Sequence, residues 1–205
     1  MTGPGLLFVV SGPSGAGKDT LVEALRSRRP GLRYSISATT RTARPDEREG
    51  EHYFFVSSTE FEGLRGSSRL LEWREYGGNL YGTPRDYVER CLSEGYDVIV
   101  KPEVHGALAI KAAYPDAVMI FLVPDRFSNL RERLLARRSE TNEEIAGRLE
   151  IAQREMQFIR RFDYIVVNEQ HRPEEAVRDL EAILQAERFR IHRYTDDTIA
   201  RVESS

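Results

Sequence analysis

One cysteine, one tryptophan and three methionines are all that the 205 residues hold of these types. Cys91 has no second thiol to pair with and no thiolate neighbour with which to hold a metal, which excludes an intrachain disulfide and points to a reducing compartment. It reads as a half-buried helix residue. An excess of charge of one sign is missing too. Lys and Arg number 30 against 33 Asp and Glu, so no strong field invites a polyanion or an anionic membrane, and nucleic acid is disfavoured as the main partner. Long apolar runs are absent: the opening stretch has no basic segment, and its apolar run spans Leu6 to Val10. A membrane-spanning helix needs about 20 apolar residues, and a secretory leader needs a basic start. A cytoplasmic protein without a membrane partner is expected. Neither internal repeats nor low-complexity segments occur.

What is present suits one α/β folding unit with room for a mobile subdomain. Leu6–Val10, Ala117–Val123 and Tyr164–Val167 are apolar throughout and Tyr96–Val100 is apolar but for Asp97, as strands covered on both faces are. Between and after them lie helical patterns over 20–28, 84–95 closed by Gly95, 105–115 stopped by Pro115, 129–138, 143–162 and 173–191. Strand–helix alternation implies right-handed βαβ units and a parallel sheet wrapped by helices. Residues 37–83 break that rhythm. Short β-like pieces at 53–57, 70–73 and 79–83, separated by Gly, Pro and charge and including Gly77-Gly78, predict a small inserted sheet, and insertions of that size usually bind something.

The run Gly12, Pro13, Ser14, Gly15, Ala16, Gly17, Lys18, Asp19, Thr20 follows the first strand and opens a helix. That context turns a loose pattern into a phosphate-binding loop. Glycines let backbone N–H groups turn inward around the phosphates, the helix N-terminus adds partial positive charge, and Lys18 reaches the β and γ oxygens of a nucleotide. ATP with Mg2+ is the expected donor. Asp19 stands where the usual pattern has the Mg2+-holding hydroxyl, with Thr20 one place later; either can take part in the metal site, Asp19 directly or through water.

Downstream, Arg41, Arg44, Tyr53 and Tyr81 are what a monophosphate needs, since Arg forks pair with phosphate oxygens and phenols add neutral donors. Glu72 and Thr83 suit guanine. One carboxylate can accept from the adjacent N1–H and N2–H groups while a hydroxyl donates to O6, and adenine lacks that edge.

Across these residues the chain resembles the guanylate kinase family. The resemblance rests on the GPSGxGK loop, an S-x-T-T-R-x-x-R-x-x-E-x-x-G-x-x-Y segment at Ser37–Tyr53, and an [FL]-x-E-W segment running to Y-G-[ST] at Leu70–Thr83. It covers residues 5–186, implying a P-loop NTPase core (5–36, 96–125, 160–190), a β-rich GMP-binding insertion (37–95), a helical lid at about 126–159 and a tail at 191–205. It also implies ATP-dependent phosphorylation of GMP and of dGMP, by a monomer or homodimer. Ser37, Arg41, Arg44, Glu47, Tyr53, Glu72, Tyr81 and Thr83 correspond to its GMP-site positions. An R-L-x-x-R-x-x-E-T pattern at Arg133–Thr141 makes Arg133, Arg137 and the later Arg148 phosphate clamps of the lid, and Asn168 matches a segment near the adenine of ATP, though it equally suits a strand-end turn.

A further departure is Lys101-Pro102-Glu103 with His105, where the family reads close to L-[DE]-[IV]-D-x-Q-G. Glu103 can keep an acidic role near Mg2+ or the lid. Lys101 cannot accept a hydrogen bond; it either faces phosphate or pairs with Glu103 or Glu72. His52, His105, His171 and His192 have no required role, because a phosphate acceptor is already ionised at neutral pH. Two other readings stay open: a kinase for another monophosphate, and a non-catalytic guanylate-kinase-like binding module, against which the intact loop and lid arginines count. A nucleotide sensor would bind ATP without turnover.

Overall fold

In a computed structural model, residues 4–45, 47–135 and 142–194 are described, with the backbone alone at 76, 133–135 and 142–144. Along the chain run β1 (Leu7–Ser11), α1 (Lys18–Arg28), β2 (Arg33–Tyr34), β3 (Ala38–Thr39), β4 (Phe54–Phe55) and α2 (Ser58–Gly66). Then come β5 (Leu70–Tyr76), β6 (Asn79–Pro84), α3 (Arg85–Ser93), β7 (Val98–Val100), α4 (Val104–Ala113) and β8 (Val118–Pro124). The series ends with α5 (Phe127–Leu135), α6 (Asn142–Met156), β9 (Tyr164–Asn168) and α7 (Pro173–Glu187).

One sheet has the order β2-β7-β1-β8-β9, and every neighbouring pair in it is parallel. Its central strands β1 and β8 are buried at every position. Side chains alternate between the two faces: Phe8, Val10, Ile120 and Leu122 pack with Leu21 and Leu25 of α1 and Val177 and Leu180 of α7. Leu7, Val9 and Met119 pack with Val88 of α3 and Ala107 and Ile110 of α4. Each such side chain taken from water contributes about 1.5–3 kcal/mol, and coverage on both faces is why these strands read as unbroken apolar runs. The segment expected to be a strand from 96 to 100 shortens to Val98–Val100. Asp97 turns its carboxylate to the Leu6 N–H at 2.9 Å, and Tyr96 lies under the Arg33 guanidinium at 4.2 Å.

A second sheet, in the order β4-β3-β6-β5, comes from residues 38–84. β5 and β6 form a hairpin whose turn residues Gly77 and Gly78 have φ of 57° and 73°, the left-handed pair that a two-residue hairpin turn requires. Reading this segment as short strands misses α2. The signal was there: Ser57 and Glu60 make a capping box, with Glu60 N–H donating to Ser57 Oγ at 3.2 Å and Ser57 N–H to the Glu60 carboxylate at 2.7 Å. Phe61 then packs into Ala38 and Leu70.

Three other expectations change. The helix expected over 143–162 ends at Met156, because the Gln157 and Phe158 N–H groups bond to carbonyls three residues back, at 3.1 and 3.0 Å. Phe158 and Phe162 then turn into a cluster with Phe121 and Val104. Cys91 is buried rather than half-buried. The segment expected to be a tail from 191 opens with a 3-10 turn, Ile191–Arg193, in which Arg193 Nη2 donates to Glu187 at 2.7 Å; residues from 195 onward lie outside the described residues, as does the end of the helix expected over 129–138.

At Gly12 φ is +147°, and a Cβ there would run into the Leu122 carbonyl. We expect Gly12→Ala to lose at least about 2 kcal/mol in urea denaturation. Gly147→Ala, on α6 with open space around the added carbon, should hold or gain up to about 1 kcal/mol.

Candidate active site

The loop between β1 and α1 is shaped by three positive-φ glycines, Gly12 (147°), Gly15 (86°) and Gly17 (91°). Gly17 caps α1 without a side-chain hydrogen bond, so the first amides of the helix and those of the loop form a concave set of donors suited to an anion. Lys18 folds back over the loop, its Nζ donating to the carbonyls of Gly12 at 2.5 Å and Pro13 at 3.2 Å. Burial lowers its pKa, and the carboxylates of Glu155, Glu103 and Asp19 oppose that shift. Asn168, at the end of β9, donates to the Ala16 carbonyl at 2.8 Å, which fastens the loop to the sheet.

Helix α6 reaches the same loop. Arg148 donates from Nε and Nη2 to Ser14 Oγ at 3.2 and 2.5 Å. Two turns further, on the same face, Glu155 faces the Ser14 backbone N–H, which works against the burial of its carboxyl. Glu155 is buried, and its Oε2 has no hydrogen-bond partner; burial raises its pKa in spite of the nearby Lys18. Reading the sequence missed Glu155, and its seven-residue spacing from Arg148 is the signal that could have found it. Of the other expected lid arginines, the Arg133 side chain and Arg137 lie outside the described residues.

On the inserted sheet, Arg41 donates to both oxygens of Glu47 at 2.7 and 2.8 Å, and the Arg44 N–H adds a third bond at 2.9 Å. The Arg41 hydrogen bond holds the Glu47 carboxyl below the ordinary range. Tyr53 and Tyr81 meet edge to face, with ring centres 6.1 Å apart, and Arg41 lies 5.4 Å from the Tyr53 centre. Glu72 on β5 is buried and accepts from the Thr83 hydroxyl of β6 at 2.6 Å. Thr83 was expected to offer its proton to an exocyclic oxygen; in this structure its hydroxyl lies against the carboxylate and orients Glu72. Gly106 of α4 makes room for it, since a Cβ there would lie 2.5 Å from Glu72 Oε2. Burial raises the Glu72 pKa, against the Thr83 hydrogen bond and Arg74.

The departing residues pair differently from the alternatives the sequence left open. Lys101 Nζ meets the Asp19 carboxylate, not Glu103 or Glu72. Glu103 pairs with Arg74 of β5, a residue that motif reading passed over. Together these groups line one crevice, with Ser14, Lys18, Asp19, Thr20 and Arg148 along one side and Ser37, Tyr53, Glu72 and Tyr81 along the other. Arg41, Arg44 and Glu47 line an adjoining crevice that shares Tyr53, Tyr81 and Lys101. An anion nest with a lysine, facing a buried carboxylate beside arginines and phenols, can hold a polyphosphate and a smaller phosphate ester end to end.

The sequence profile of the family described as Guanylate kinase matches residues 5–187. A guanylate kinase of Desulfitobacterium hafniense is 46% identical over 189 residues, covering 92% of this chain and 94% of that one. One from Thermus thermophilus is 50% identical, covering 92% and 84%. Among solved structures, guanylate kinase from Anaplasma phagocytophilum superposes with a TM-score of 0.76 at 30% identity, covering 94% of this chain and 90% of that one.

Because burial raises the Glu72 pKa, its ionised form costs stability once pH exceeds the ordinary glutamate value. In the window between the unfolded and folded pKa values the native state holds the extra proton, so stability falls as pH rises. Glu72→Gln should therefore melt above the native chain at neutral pH, by about 2–4 °C per kcal/mol relieved. The gap should close on acidification toward about pH 4.5; paired thermal melts across pH read this directly.

Proposed function

The chain belongs to the guanylate kinase family, and from that premise we propose how these residues move the γ-phosphoryl group of ATP onto GMP. The observation that carries the reading is the crevice that sets Lys18 and the loop against the buried Glu72, itself held by the Thr83 hydroxyl.

The loop amides and Lys18 take the β- and γ-phosphates of ATP. GMP lies across the inserted sheet, with its phosphate at Arg41, Arg44, Tyr53 and Tyr81 and its guanine edge at Glu72. Arg41 exchanges part of its bidentate Glu47 pairing for phosphate, and Glu47 keeps the fork oriented. Arg148 already bridges from α6 to Ser14, which places a guanidinium beside the loop as charge builds on the transferring group; Arg133 and Arg137 complete that clamp. Asn168 holds the loop by its Ala16 bond. The attacking phosphate oxygen is ionised, so no side chain needs to act as a strong base. Closure of the insertion (37–95) and the lid (126–159) excludes water and suppresses ATP hydrolysis.

The donor set fits a magnesium ion that arrives with ATP. Among the described residues no group of three His, Cys, Asp or Glu side chains could form a protein cage, and Mg2+ with a nucleotide keeps water and phosphate oxygens around one or two protein ligands. Thr20 suits a direct contact. Asp19, held by Lys101, suits one through water. Bound Mg2+ neutralises charge on the phosphates. Among the described residues no helix is long and apolar enough to cross a membrane.

A coupled assay of ADP formation with GMP, dGMP, AMP, UMP and CMP tests the reading. GMP should be the best acceptor and dGMP should be used, whereas turnover with AMP but not GMP would overturn it. In the same assay Arg148→Met should lower kcat on the order of 100-fold, with the KM for GMP kept within about threefold.

A further inference from the structure

We propose that Lys101 is a phosphate-positioning cation for the acceptor nucleotide, anchored by Asp19, so that two residues departing from the family pattern act as one unit. This rests on reading the site as a GMP kinase.

Lys101 follows β7 and lines both crevices: the donor side with Lys18 and Glu103, and the acceptor side with Arg41, Tyr53 and Tyr81. It is the only cation among the described residues that lines both. Its side chain is 20% exposed and meets the Asp19 carboxylate 82 residues away in sequence, with Nζ 5.8 Å from the Tyr34 ring centre. The amine therefore lies between the donor and acceptor crevices.

Burial by itself would lower the Lys101 pKa, but Tyr34 and Asp19 outweigh it and hold the ammonium above the ordinary lysine value. Tyr34 has its own pKa raised by burial and is a neutral phenol at neutral pH, so the anion that matters is Asp19. At 72% exposed, Asp19 makes a water-screened and weak ion pair, which a phosphate dianion can outcompete. The pairing also accounts for Asp19. A carboxylate at the start of α1 would by itself repel incoming phosphate; Lys101 offsets that charge.

Calorimetric titration of GMP and of guanosine separates phosphate from base. Lys101→Met should weaken GMP about tenfold, the loss of one charge-assisted hydrogen bond, and leave guanosine within about twofold. Lys101→Arg should restore most of the GMP affinity. Asp19→Asn should shift GMP affinity in the native chain and not in the Lys101→Met chain. Unchanged GMP binding in Lys101→Met, equal weakening of guanosine, or the same Asp19→Asn effect in both backgrounds would each overturn the proposal. Thermal melts screen each variant for folding, and Lys101→Gln replaces Met should that variant fail to fold. Turnover of ATP with GMP by the native chain is measured alongside. Its absence would sink the kinase reading, while the contrast between GMP and guanosine binding would still judge Lys101.

Discussion

Two phosphate groups that repel each other have to be held in contact, and the arrangement of this protein follows from that constraint. At 4 Å two unit charges interact by about 1 kcal/mol in water and about 4 kcal/mol near a protein surface, and phosphates carry more than one charge each. The fold answers by converging elements far apart in sequence on two adjoining crevices. The central β1 brings the loop and Lys18, β7 brings Lys101, α6 brings Arg148, and the inserted sheet brings Arg41, Arg44 and the two tyrosines. Central strands buried on both faces make the frame rigid enough to fix those approaches.

The same cations would repel one another without the nucleotides, and the carboxylates around them answer that. Glu47 occupies Arg41, Glu103 occupies Arg74, Asp19 occupies Lys101, and Glu155 sits against Lys18 and the Ser14 N–H. These pairings keep side chains oriented before substrate arrives, which is the form preorganisation takes here. Glu155 is the costly member: a buried carboxylate with one unpartnered oxygen and a raised pKa. It belongs to the same helix as Arg148, so movement of α6 displaces both from the loop together.

Much of this was legible in the sequence, and what was missed has physical reasons. The strands read at Leu6–Val10 and Ala117–Val123 lie within one residue of β1 and β8, because burial on both faces leaves no charged position in them. The loop glycines were readable because only glycine tolerates their φ values without strain. Gly77-Gly78 announced a turn for the same reason. Helix α2 was missed although Ser57 and Glu60 spell its start, because the short strands on either side dominated the local pattern. The end of α6 at Met156 is set by tertiary packing of Phe158 and Phe162, not by a breaker residue. Thr83 meets Glu72 because the two are opposite one another across the β5–β6 ladder, whereas the pairings of Lys101 with Asp19 and Glu103 with Arg74 are set by how elements distant in sequence converge. Periodicity carries no record of that.

The central claim is that the buried Glu72, oriented by Thr83 and given room by Gly106, reads the donor edge of guanine. Comparing kcat/KM for GMP and IMP in the native chain and in Glu72→Gln tests it most directly, because hypoxanthine keeps O6 and N1–H but lacks the 2-amino group. The account predicts a native preference for GMP on the order of 100-fold or more, falling to a few-fold in Glu72→Gln. Equal use of the two nucleotides by the native chain, or a preference that survives the substitution, would contradict it.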